Sequence, residues 1–134
     1  MLEAKAVENP TPKRKILVVD DENLIADTLV QILNMMGYDA VSVYSGTEAV
    51  ERAMSVPFDL LISDVVMPEM NGIESAIEIC KRTPNCKVLL VSGNNRTADL
   101  LKASEESGHT FEVLAKPVPP QMILDRLNAM WLPN

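Results

Sequence analysis

FDLLISDVVMPEMNG, residues 58–72, is the stretch on which the reading of the chain turns. Leu60, Leu61 and Ile62 form a short apolar run, followed by Ser63, a single carboxylate at Asp64, and a loop punctuated by Pro68 and Gly72. Short apolar runs ended by turn residues read as buried strands of a parallel sheet. Asp64 then stands where such a strand emerges at its carboxyl end, the edge at which open α/β sheets bind ligands. A lone aspartate there is ordinarily a helix cap or turn former, so its meaning depends on what the other strands place beside it.

Working outward, four more strand patterns flank this one. KILVV ends in Asp20, Asp21 and Glu22, and Tyr38 to Val43 is a second short strand. Lys87 to Val91 is closed by Ser92-Gly93-Asn94-Asn95, and Phe111 to Ala115 by Lys116-Pro117. Helical patterns alternate with them. Ile25, Leu29, Ile32 and Met36 recur at helical spacing before a stop at Gly37. Ser45 and Glu48 have capping-box spacing ahead of Ala49, Val50, Ala53 and Met54. Ile73, Ala76, Ile77 and Cys80 share a face of a helix over 72–81. A weaker helix spans about 96–106, and a last one opens at Pro119-Pro120, a residue type suited to the first turn, with Met122, Ile123, Leu127 and Met130 inward. Strand and helix alternating five times predict an α/β domain with a parallel sheet and helices on both faces.

The 134 residues fit one domain, with residues 1–14 expected as a mobile tail stiffened by Pro10 and Pro12 and residues 15–134 as the folded domain. A net charge of −7 argues against a nucleic-acid surface, which needs clustered cations. No apolar run reaches membrane-spanning length and the N-terminus has no apolar signal core, so a cytoplasmic, reduced, soluble protein is expected. Cys80 and Cys86 lack the company of a metal pattern, and Cys80 is expected as a buried structural thiol. His109, after Gly108, reads as a solvated loop residue.

Just past the strand ends stand Asp20 and Asp21, Asp64, Ser92 and Lys116. In a parallel sheet these ends share one edge, and they converge if the first strand neighbours the third. Two unit charges about 4 Å apart repel by roughly 1 kcal/mol in water and about 4 at an effective dielectric of 20, so three carboxylates need a cation or raised pKa values. An oxygen-only donor set suits a hard ion such as Mg²⁺. Asp64 is then a candidate carboxylate nucleophile, with Lys116 and Ser92 as donors to phosphoryl oxygens.

ILVVDDE (16–22), LLISDVVMPEMNG (60–72), VLLVSGN (88–94) and LAKPV (114–118) together resemble the receiver domain of two-component response regulators, over about residues 14–131. The resemblance implies a flavodoxin-like doubly wound five-stranded parallel sheet in the order 2-1-3-4-5. It implies Asp64 as phospho-acceptor, and Asp20, Asp21, Asp64 and the main-chain carbonyl of Val66 as Mg²⁺ ligands, Asp20 through water. It implies Ser92 and Lys116 as phosphoryl contacts, a cis Lys116-Pro117 bond, and Gly93 leaving the approach to Asp64 open. A sensor histidine kinase or histidine phosphotransfer protein is the implied donor and a downstream protein the implied target, with homodimerisation through the output face left open.

The family often carries Tyr or Phe three residues before the lysine. Here that position is Val113, and Phe111 lies two residues earlier on the same strand face. Val65 and Val66 offer no acid or amide to position water, so a long-lived phosphoryl state is expected. The residues after Lys116 suffice for one helix, so a stand-alone switch rather than an enzyme is expected, signalling by conformational change and docking. Two alternatives are a phosphorylation-independent interaction module of the same fold, and a Mg²⁺-dependent phosphohydrolase. The first tends to lose the acceptor or acidic pair, both present here, and the second needs an acid/base where Val66 stands.

Overall fold

The computed structural model describes residues 12–93, 97–106 and 108–131. The expected tail up to Thr11, and the turn residues Asn94 and Asn95, lie outside them. Five strands, β1 (Lys15–Val19), β2 (Asp39–Val43), β3 (Leu60–Asp64), β4 (Lys87–Ser92) and β5 (Glu112–Ala115), alternate with five helices among the described residues. The helices are α1 (Asn23–Met35), α2 (Gly46–Ser55), α3 (Gly72–Arg82), α4 (Thr97–Glu106) and α5 (Pro120–Met130). The sheet runs in the order β2-β1-β3-β4-β5, with every pair parallel. This is the expected doubly wound architecture, and no described helix is long and apolar enough to cross a membrane.

The strands are mostly apolar between their polar ends because both faces of the sheet are covered. Successive side chains point to opposite faces, so Ile16 and Val18 join Leu60, Ile62 and Leu89 in one core with Ala26 and Leu33 of α1 and Ile123, Leu124 and Leu127 of α5. Leu17, Val19 and Leu61 enter the other core, with Ala49 and Ala53 of α2 and Ala76 and Ile79 of α3. A third, smaller cluster of Val65, Ile73 and Leu90 receives Leu100 and Leu101 of α4 and Val113 of β5. Each fully buried Leu or Ile contributes roughly 1.5–3 kcal/mol relative to exposure.

Helix ends follow local chemistry. Gly37, at φ +99°, terminates α1. Its N–H donates to the Asn34 carbonyl and that of Tyr38 to the Leu33 carbonyl, the double bond of a Schellman cap. Ser45 caps α2 by accepting from the Glu48 N–H, while Glu48 reaches the N–H of Tyr44, one residue outside the cap. A complete capping box occurs instead at α3, where Asn71 and Glu74 exchange side-chain bonds with each other's N–H groups.

Several inward faces differ from expectation. In α1 the buried positions are Ala26 and Leu33, whereas Ile25 and Met36 are exposed. The helix carries apolar residues on two adjacent stripes, so periodicity alone does not choose between them, and small Ala26 lets the backbone close on the sheet. Met54 and Met122 are likewise exposed. Cys86 rather than Cys80 is the buried thiol. Burial pushes the Cys86 thiol up to about 12, which leaves it a poor nucleophile. Strand β5 begins at Glu112, so Phe111 precedes it. Its ring stacks on His109, half-buried rather than solvated, at 5.9 Å between centroids. Arg14, in the expected tail, accepts through its carbonyl from the Asp39 N–H and lays its guanidinium 4.8 Å from the Trp131 ring centre.

Candidate functional site

Strand register brings the expected residues together. Val19 lies beside Ser63, so the next residues, Asp20 and Asp64, leave adjacent strands side by side. Asp64 pairs with Val91, and Ser92 with Ala115, immediately before Lys116. One oxygen each from Asp20, Asp21 and Asp64 lies within 4.8 Å of the others. The Lys116 Nζ stands 3.3 Å from Asp64 Oδ2 and 3.9 Å from Asp20 Oδ2. The Lys116–Pro117 peptide is cis.

The site is held from its backbone. Asp20 is buried, and its Oδ1 accepts from the Glu22 N–H at 2.9 Å. Behind Asp64, the Ser63 hydroxyl donates to the Asp64 carbonyl at 2.8 Å, and the Gly72 N–H donates to that of Val65 at 2.8 Å. A Cβ on Gly72 would stand 2.1 Å from the Asp64 carbonyl oxygen. That residue must be glycine if the loop is to fold back on the strand end. The Lys116 N–H donates to the Ser92 carbonyl at 2.9 Å, locking the ends of β4 and β5 together.

The electrostatics follow from three close carboxylates with one ammonium beside two of them, Asp20 and Asp64. Burial raises the pKa of Asp64, against the lowering effect of nearby Lys116. Burial likewise raises that of Asp20, opposed first by its bond from Glu22, while the neighbouring Asp64 charge adds to the rise. The cluster carries unneutralised negative charge in a half-enclosed position, as an oxygen-ligand divalent cation site requires. Val66 is exposed beside Asp64, and Val113 packs in the small cluster under α4 rather than presenting a polar edge.

Sequence reasoning overlooked Thr97, the first residue of α4. It is buried, and its hydroxyl is hydrogen-bonded to that of Ser92. The available signal was a hydroxyl residue at the start of the helix that follows Ser92. It also overlooked the paired roles of Ser63 and Gly72, whose signal is a small residue at each side of a close backbone approach.

Known proteins are similar to this chain in sequence and in fold. The family model described as the response regulator receiver domain matches residues 16–128. The chain is 33% identical over 116 residues to the chemotaxis protein CheY of Thermotoga maritima, covering 86% of this chain and 95% of that protein. It is 32% identical over 117 residues to the response regulator receiver protein CpdR of Brucella abortus, covering 87% and 96%. Among solved structures, a CheY-like receiver domain protein from Methanospirillum hungatei JF-1 superposes with a TM-score of 0.79 at 25% identity, over 89% of this chain and 94% of that one. Vibrio cholerae chemotaxis protein CheY4 superposes at 0.77 and 26%, over 90% and 100%. Family match, relatives and fold coincide on one conclusion: the chain belongs to the receiver domains of two-component response regulators, which are signalling switches rather than catalytic enzymes.

Proposed function

We propose that Asp64 accepts a phosphoryl group from the phosphohistidine of a sensor histidine kinase or histidine phosphotransfer protein, and that the phosphorylated chain signals by docking to a protein target. The observation that carries this reading is the convergence of the Asp20 and Asp21 carboxylates and the Lys116 ammonium on Asp64. An Asp64 oxygen forms the new O–P bond as the N–P bond breaks, and the imidazole nitrogen keeps the bonding electron pair. Lys116 orients the Asp64 oxygen beforehand and then pairs with the phosphoryl oxygens. Ser92 donates its hydroxyl hydrogen to another of them.

The donor set fits Mg²⁺: all oxygen, without His or thiolate, and carrying excess negative charge. Asp20, Asp21, Asp64 and the Val66 carbonyl would hold the ion. When bound, it supplies charge neutralisation for the arriving phosphoryl group. Val66, being apolar, gives water no partner beside Asp64, which supports a phosphoryl state that persists.

Incubation with acetyl phosphate and Mg²⁺ followed by intact-mass measurement tests the reading. One added phosphoryl group is expected in the wild type and none in Asp64→Asn. An unchanged wild-type mass, or a gain that survives Asp64→Asn, would remove Asp64 as acceptor.

A further inference from the structure

The aromatic residue that commonly couples a receiver's phosphorylation site to its output face is Val113 here, an apolar side chain with no hydrogen-bonding atom. The structure offers another connection. Ser92 and Thr97 are both buried, and their hydroxyls share a hydrogen bond across the gap between β4 and α4. Ser92 is anchored on its other side, since its carbonyl accepts from Lys116 and it pairs with Ala115 in the ladder. It follows directly on Val91, the residue beside Asp64.

Helix α4 is thinly held. Its fully buried positions are Thr97 and Ser104, both hydroxyl residues, while Leu100 and Leu101 are only partly buried against the small cluster. The Ser104 hydroxyl donates back to the Leu101 carbonyl of its own helix. A helix with few buried apolar groups opens and shifts at low cost, so a tie at its first turn weighs heavily in where it sits.

We infer that Thr97 is a positioning residue: its hydroxyl donates to Ser92, aims the Ser92 hydrogen at the phosphoryl group on Asp64, and ties the first turn of α4 to the state of that site. The reason is the inventory of a hydroxyl, which has one hydrogen and two lone pairs. Once the Ser92 hydrogen is committed to a phosphoryl oxygen, the bond between the two hydroxyls has one remaining direction, Thr97 to Ser92. Hydrogen bonds aligned in such a chain polarise and strengthen one another. Phosphorylation thus converts a bond that can run either way into a directed one ending on a charged acceptor. This rests on the reading of Asp64 as acceptor.

Beryllofluoride with Mg²⁺, a mimic of the bound phosphoryl group, provides the test by NMR titration of wild type, Thr97→Val and Thr97→Ser. Thr97→Val keeps the shape and loses the hydroxyl. It is expected to bind beryllofluoride roughly 2- to 10-fold more weakly, the scale of one hydrogen bond, and to lose most of the shift response of the α4 amides Asp99 and Leu100. Thr97→Ser, which restores the hydroxyl and removes the methyl group, is expected to recover both. The inference is overturned if Thr97→Val binds as tightly as wild type with a full α4 response. It is equally overturned if Thr97→Ser is as defective as Thr97→Val, since the loss would then be one of packing. A wild type that neither binds beryllofluoride nor gains mass from acetyl phosphate overturns the acceptor reading, and the Thr97 relay with it.

Discussion

Asp20 and Asp64 show how a single side chain's environment sets its chemistry. An aspartate ordinarily titrates near 3.8, and burial holds both above that value in the folded chain. Between the unfolded and folded values the folded state binds more protons than the unfolded one. Stability therefore falls as pH rises through that window and stays lower above it. A divalent cation offsets the cost by neutralising the ionised cluster. The increase in Tm on adding Mg²⁺ is thus expected to be largest near neutral pH and to shrink as pH falls through the raised values toward 3.8. A thermal-shift series descending from neutral pH checks this, and an increment independent of pH would contradict it. Without metal, Asp64→Asn removes one of three like charges and should raise stability near neutral pH by on the order of 1 kcal/mol.

Among the elements, the start of α3 governs how Asp64 is presented. The capping box of Asn71 and Glu74 satisfies N–H groups at the helix end. Gly72 meanwhile lies against the backbone of the strand end, where a methyl group would meet the Asp64 carbonyl oxygen at 2.1 Å and the Ser63 hydroxyl oxygen at 2.9 Å. The obstacle is backbone, not the end of a flexible chain, so the strand or the helix must shift. Gly72→Ala is expected to destabilise the fold by about 1–3 kcal/mol, the usual range for overpacking, and to slow phosphorylation by acetyl phosphate. Urea denaturation and the mass assay read the two effects. A variant as stable as wild type would show that the loop yields more easily than its contacts imply.

At the scale of the whole molecule, the site opens into a cleft of about 760 Å³ between α1 and α5, lined by Leu24, Ile25, Leu29, Val118 and Ile123 together with Asp64 and Lys116. Leu24 is 79% exposed, an unusual position for a leucine at the rim of a charged site. On the proposed reading, a protein donor bringing a phosphohistidine to Asp64 would cover this rim, whereas acetyl phosphate is too small to do so. Leu24→Ala is therefore expected to slow phosphotransfer from a histidine phosphotransfer protein by about tenfold, the effect of losing an interface anchor. Its rate with acetyl phosphate should stay close to wild type. Equal slowing with both donors would place the defect in the site and not in docking.

Much of this protein can be read before it folds. Apolar runs ended by carboxylates, hydroxyl and lysine determine the strands, their parallel pairing and the edge they share, because a strand buried on both faces has few other sequence solutions. The motifs around Asp20, Asp64, Ser92 and Lys116 likewise name residues that stand at that edge, since each directly follows or ends an apolar strand run. Only the tertiary structure chose Ala26 and Leu33 over Ile25 and Met36 as the inward face of α1, and Cys86 over Cys80 as the buried thiol. It alone joined Thr97 to Ser92 and set Gly72 against the Asp64 carbonyl. Those outcomes depend on which surfaces approach each other and how closely, and local periodicity carries no information about a neighbour contributed by a distant part of the chain.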